Sequence, residues 1–451
     1  MTRNFLPTAV NPIKCIIQGF KMNVVRKKLF GLFAGATMCF AGTGMAQAEK
    51  ITLDVIHAWP GHNPFYENVA EAFSKANPDI EIKFRASPPS YDEGHQALLR
   101  GIITNKLPDV YFSGFHLLPE LVAALDRRKL AVDLAPFIEK ESADWLNANY
   151  EPSILNLAQV NGKQYGMAFN ASTPIIFYNG DLVKQVTGSS DNFPNDWEAA
   201  IELAGKIGKL GDGINGMAYD VHAWPDDWLW RAMIMEQGEP VMNEDGKTVA
   251  FGGESGKKAL DKAVRFMKEG AMGLRDFEQS RQQFVAGKIG FIFSSPNGAR
   301  AFSDLIGDRF ELRSSVFPIA DKTNGKLPTG GNAAMILSQD EQRQQAAWEF
   351  IKFATGPEGQ KLAVLGSGYM PTNKIALEPQ YLGGFYTENP NWRTSLDQIQ
   401  YAQAWGGYPG NNSVQAWRTQ RDIIGNVMRG NISVDEGLQQ LVSETNKLLA
   451  K

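Results

Sequence analysis

Catalysis needs a nucleophile, a base or a metal, and this 451-residue chain is poor in all three. Its five histidines are His57, His62, His95, His116 and His222. None stands in a His-Glu-x-x-His pair, and the spacing of His57 and His62 fits neither face of a helix. No Gly-x-Ser-x-Gly elbow occurs. Gly211-Asp-Gly and Gly330-Gly lack the Gly-Lys-Ser/Thr that completes a phosphate loop. The pair Asp226-Asp227 could serve a glycosidase, but it follows Pro225, where acids favour a helix start. No catalytic residue, metal-ligand set or cofactor is therefore expected.

Binding chemistry is better represented. Flat rings cover apolar C–H faces, and planar polar groups pair with hydroxyls. Trp59, Tyr91, Phe169, Trp224 and Tyr369 supply rings. His57, Asn170, Ser172, Ser294, Ser295, Asn297 and Asn332 supply polar groups, with backbone N–H near Gly330 and Gly331. Trp197 and Trp348 lie inside helical patterns and read as core.

The elements that must carry these groups alternate between strand and helix. Ile51–Ile56 reads as a strand, Pro64–Ala76 as an amphipathic helix and Ile80–Phe84 as a strand, an order that predicts parallel pairing. A helix is expected over Tyr91–Ile103 and a third strand over Leu107–Ser113. Ligands in open α/β sheets bind beyond the carboxyl ends of strands. The loop His57–His62 and the residues Ser113 to His116 are site candidates on that ground. A helix is expected over Trp145–Leu157. Phe169-Asn-Ala-Ser-Thr173 is too polar for core and too apolar for a plain loop, and Pro174 biases Thr173 toward an extended backbone. That stretch reads as a crossing between two lobes, entering a buried strand at Ile175–Tyr178. Further helices are expected over 255–269, Phe277–Val285 and Glu341–Ala354, with helices filling the C-terminus. Gly287 to Phe293 reads as a strand ending in the polar turn Ser294-Ser-Pro-Asn-Gly298.

Length and charge set the frame. Basic residues Arg26, Lys27 and Lys28, an apolar run from Leu29 to about Phe40, and Ala46-Gln-Ala48 form the pattern of a secretory signal peptide. Residues 1–48 are expected to be removed, with 1–21 an over-extended start. Both cysteines, Cys15 and Cys39, fall there, so no disulfide or thiolate ligand is expected afterwards. The remainder holds 39 Lys and Arg against 49 Asp and Glu, a formal charge of −10. An acidic, exported chain without basic runs argues against nucleic acid as partner. Its length exceeds one comfortable core, so two domains are expected.

Particular phrases bring a family into view. Asn161-Gly-Lys-Gln-Tyr-Gly, Phe169-Asn-Ala-Ser-Thr-Pro174, Phe177-Tyr-Asn-Gly-Asp-Leu182, Ala346-Ala-Trp-Glu-Phe-Ile-Lys-Phe353 and Gly368-Tyr-Met-Pro-Thr-Asn373 stand in an order that resembles the family 1 extracellular solute-binding proteins of bacterial ABC importers. The resemblance covers nearly all of residues 50–450. It implies an α/β, two-lobed periplasmic-binding-protein fold, each lobe a mainly parallel sheet flanked by helices, joined by hinge crossings. The expected lobes are 49–168 with 319–367, and 169–318 with 368–451. It implies a monomer that carries a sugar or polyol to inner-membrane permease subunits with a cytoplasmic ATPase. Glycerol 3-phosphate is the alternative ligand, and a secreted carbohydrate-active enzyme the alternative class. The glycerol-phosphate branch is similar at Phe169–Pro174, Ser294–Ser295, Gly330–Gly331 and Tyr369. Its C-terminal arginine falls on Trp417, with Arg418 adjacent, and its glutamate falls near Phe115. Those departures favour a neutral carbohydrate.

Overall fold

A computed structural model of the chain describes residues 50–410 and 412–450; the expected leader lies outside them. Among the described residues twelve strands occur in the order β1 (Ile51–Ile56), β2 (Ile80–Phe84), β3 (Val110–Gly114), β4 (Gln159–Val160), β5 (Lys163–Gln164), β6 (Met167–Ser172), β7 (Ile175–Asn179), β8 (Asn215–Ala218), β9 (Ile289–Ser294), β10 (Leu312–Ser315), β11 (Leu327–Ile336) and β12 (Ala402–Ala404). They build two main sheets. The first runs β12-β11-β3-β1-β2, with β6 also paired to β11, and the second runs β10-β7-β9-β8. Strands β4 and β5 form a separate short hairpin.

Local sequence explains the first layer. The helix Asn63–Ala76 starts with Pro64 in its first turn and buries Phe65, Tyr66, Val69 and Phe73 on one face. These rings pack against Leu53, Val55, Phe112 and Phe169 of the first sheet. Its other face is covered by Leu98, Ile102, Leu118, Leu121 and Leu125 from the helices Tyr91–Thr104 and Leu118–Asp126. A larger cluster, including Trp197, Tyr219, Trp230, Phe266 and Phe293, fills the second layer.

The two-lobed α/β fold is the expected one, and four details differ from expectation. In the second sheet only β8 and β9 run parallel; β7 is antiparallel to both β9 and β10. The helix expected over Trp145–Leu157 is two short ones, Trp145–Asn149 and Pro152–Asn156. Pro152 cannot donate to the preceding turn and holds Glu151 extended. The C-terminal region is not all helix, since β12 pairs in parallel with Leu327–Thr329 of β11. Finally, Phe169–Ser172 is core strand despite its polarity. All of β6 is buried and pairs with β11, so an expected lobe boundary at 168/169 would divide a strand that belongs wholly to the first sheet.

Hydrogen bonding offsets part of the cost of that polar strand, because a buried polar group is most costly when unpartnered. Asn170 Oδ1 accepts from the Asn332 backbone N–H at 3.0 Å. The chain changes sheet at Thr173-Pro174, where Gln398 Nε2 donates to Thr173 Oγ1 and to the Pro174 carbonyl, each at 2.7 Å. Gln398 Oε1 accepts from the Phe317 N–H at 2.8 Å. One side chain thus ties two inter-sheet segments together.

Candidate functional site

Strand ends, helix starts and one bulge converge on a cavity of about 940 Å³ between the two layers. From the first layer come Trp59, His62 and Phe65, following β1. Tyr91 enters at the start of a helix capped by Ser90, whose Oγ accepts from the Glu93 N–H at 3.3 Å. Ser172 ends β6, and Gly331 sits in β11 beside a register shift at Asn332/Ala333. Gly331 has φ 127°, and a Cβ there would lie 2.1 Å from the Asn170 carbonyl oxygen, so only glycine fits. From the second layer come Trp224, Asp226, Trp228, Phe277, Arg281, Ser294, Ser295 and Asn297. Trp405 follows β12.

Several of these groups are held by specific partners. Trp59 adopts φ 70°, ψ 96°, a sparsely populated region for a residue with a Cβ. Its N–H donates to the Pro88 carbonyl at 2.8 Å, and its ring meets Tyr91 edge-on at 5.9 Å. Trp228 Nε1 donates to the Pro328 carbonyl at 2.9 Å, and Trp405 Nε1 to Asp227 Oδ1 at 2.8 Å. Asp276 and Gln279 form a capping box that starts the helix Phe277–Val285. That helix projects Phe277 and Arg281, four residues apart, from one face. Asn297 Nδ2 donates across the cleft to His62 Nε2 at 2.9 Å and to Tyr369 Oη at 3.1 Å.

The electrostatics are set by burial. His62 is pushed down to about 3 by burial, helped by the charges of His57 and Arg281. It is neutral at pH 7 and able to accept from Asn297. Asp226 is pushed well above the usual carboxylate range by burial and then by the carboxylates of Asp92 and Asp227. Its Oδ1 accepts from the Trp228 N–H at 3.2 Å. Ser294 is 1% exposed and its Oγ has no partner, a free hydroxyl in the cleft wall. Among the described residues no group of three or more His, Cys, Asp or Glu is placed to hold a metal ion.

Of the site residues expected from sequence, Trp59, Tyr91, Ser172, Trp224, Ser294, Ser295, Asn297, Gly330, Gly331 and Tyr369 line the cavity. Others stand behind them. His57 is buried and stacked on Tyr66 at 3.8 Å. Asn332 Nδ2 donates to Tyr66 Oη at 2.9 Å and to Tyr91 Oη at 3.1 Å, holding the phenol that faces the cavity. Asn170 braces Asn332. Trp417 is buried, its Nε1 donating to the Trp224 carbonyl at 3.1 Å. Phe169 and Phe115 are core rings. Arg418 is outside the lining, its side chain 47% exposed and 3.8 Å from Glu93.

His62 closes the loop His57–His62 that was expected to face a ligand, whereas Phe65, Asp226, Trp228, Phe277, Arg281 and Trp405 are among the lining residues that the expected set lacked. The Phe277/Arg281 spacing on a foreseen helix was the one available signal. Trp405 had none, since nothing local marks β12.

A profile of the bacterial extracellular solute-binding proteins matches residues 59–361. The sn-glycerol-3-phosphate-binding periplasmic protein UgpB of Rhizobium meliloti is 22% identical, over 80% of this chain and 84% of its own. The arabinooligosaccharide-binding protein of Bacillus subtilis is 23% identical, over 66% of this chain and 67% of its own. Among solved structures, maltose-bound MalE3 of T. maritima superposes with a TM-score of 0.74 at 18% identity, covering 88% of this chain and all of that one.

Proposed function

This chain belongs to the bacterial extracellular solute-binding proteins, the capturing components of ABC importers for sugars and glycerol phosphates, and we propose that it takes a sugar or sugar-like polyol into this cleft. The observation that carries the reading is the lining itself: Trp59 and Tyr91 on one wall, Trp224 and Trp228 on the other, with the unpartnered Ser294 hydroxyl between. Rings cover apolar sugar faces, while hydroxyls and amides bind the rim.

The chain is exported; we assign it to the periplasm on the expected leader, and take it as a monomer from the family resemblance. Two lobes, meeting near Thr173-Pro174, close on the ligand by hinge motion and present the closed form to the permease. His62, Asn297 and Tyr369 bridge the walls in that closure. The alternative ligand is glycerol 3-phosphate, favoured by the likeness to the Rhizobium protein.

Titration calorimetry and thermal shift with sugars, polyols and their phosphates test the proposal. Binding near one micromolar, about 8 kcal/mol, is expected for at least one member, with a concentration-dependent rise in melting temperature. A panel without a binder, or turnover of a chromogenic glycoside, overturns it.

A further inference from the structure

The helix Phe277–Val285 places Arg281 in the cleft wall, and its guanidinium has no hydrogen bond or ion pair among the described residues. Its carbon lies 4.6 Å from the Phe302 ring centre and 5.4 Å from that of Phe277. The two rings hold the planar fork but satisfy none of its five donors.

The charges around it are paired elsewhere, neutral, or too far away to form an ion pair with it. Arg300 and Asp304, at the same wall, pair with each other at 2.8 Å. Asp227 is committed to Arg231. Glu278, one turn back, attracts Arg281 but lies beyond ion-pair distance. His62 is neutral, and Asp226 is held toward its protonated form by burial. An uncompensated cation facing a closable cavity is costly unless the occupant completes the pair. A guanidinium fork matches the two oxygens of a carboxylate or phosphate.

We propose that Arg281 is a specificity-determining residue and that the ligand carries an anionic group, a carboxylate or a phosphate, seated on its guanidinium. This rests on the binding reading above and narrows it from sugars and polyols to their acidic derivatives. The arginine position that sequence resemblance pointed to holds Trp417, which is core. The cation in the cleft comes instead from a different helix.

The test compares matched ligands by calorimetry: glucose with glucuronate and glucose 6-phosphate, glycerol with glycerate and glycerol 3-phosphate. An acidic member is expected to bind at least tenfold tighter than its neutral partner, and the uronate and phosphate arms identify which anion. Arg281→Met is expected to abolish that preference, with Arg281→Lys restoring part of it. Raising salt from 50 to 500 mM is expected to weaken the acidic ligand only. Neutral ligands binding as tightly as acidic ones, no acidic member binding, or a preference that survives Arg281→Met overturns the proposal. The first of these outcomes leaves sugar capture itself standing.

Discussion

Trp59 combines a ring in the cleft with a backbone conformation that its side chain disfavours, so two substitutions separate the two roles. Trp59→Ala and Trp59→Gly both remove the ring and its edge contact with Tyr91. They differ in what remains at φ 70°, ψ 96°. Alanine keeps a Cβ there and retains strain of about 1–3 kcal/mol; glycine does not. Glycine adds unfolded-state entropy worth about 0.4–1 kcal/mol. The glycine variant is therefore expected to be more stable than the alanine variant by about 1 kcal/mol in chemical denaturation. Affinity follows the ring alone. A ring face that buries about 60 Å² of apolar surface, at about 25 cal/mol/Å², contributes about 1.5 kcal/mol, or about tenfold in Kd. Both variants are expected to lose that factor equally for the tightest ligand found by calorimetry. Equal stability of the two variants would refute the strain, and unchanged affinity would refute the platform.

Two further outcomes follow from buried polar groups. Burial pushes Asp220 up to about 7, with the Ser280 hydroxyl donating to Oδ1 at 2.9 Å. The unfolded carboxyl releases its proton first, so stability is lost as pH rises from about 4 to about 7, at most about 4 kcal/mol. Asp220→Asn keeps the acceptor, and its stability gain over wild type is expected to be larger at pH 7 than at pH 4; an equal gain at both counts against it. Gln398→Leu strands the Phe317 N–H and the Pro174 carbonyl, for a loss of about 2–4 kcal/mol. Hydrogen exchange at Phe317 is expected to accelerate, and unchanged protection would show that Gln398 does not hold the crossing.

Much of the fold is legible because its signals are local. Apolar periodicity marks Ile51–Ile56, Ile80–Phe84 and Glu341–Ala354, and Asp196 and Asp276 cap the helices that follow them. Phe169–Ser172 misleads because polarity is read one residue at a time. Whether an asparagine is tolerable in a core strand depends on Asn332, more than 150 positions away. Aromatic content foretold the rings of the cleft but not their depth. Trp224 faces the cavity yet is only 7% exposed and packs on Phe277 at 4.6 Å, so it is core and lining together. Its removal would confound affinity with stability, which is why Trp59 is the better probe.

The residues alone determined an α/β chain, the order of most of its elements, and a stock of rings and polar groups suited to binding, because each follows from composition or from contacts within a few positions. Tertiary structure alone decided which rings share a cavity, that Asn332 and Trp417 brace the wall instead of forming it, and that Arg281 stands there without an ion-pair partner among the described residues. Those outcomes depend on distances between segments far apart in the chain, and a side chain's chemistry is set by whatever those segments bring beside it.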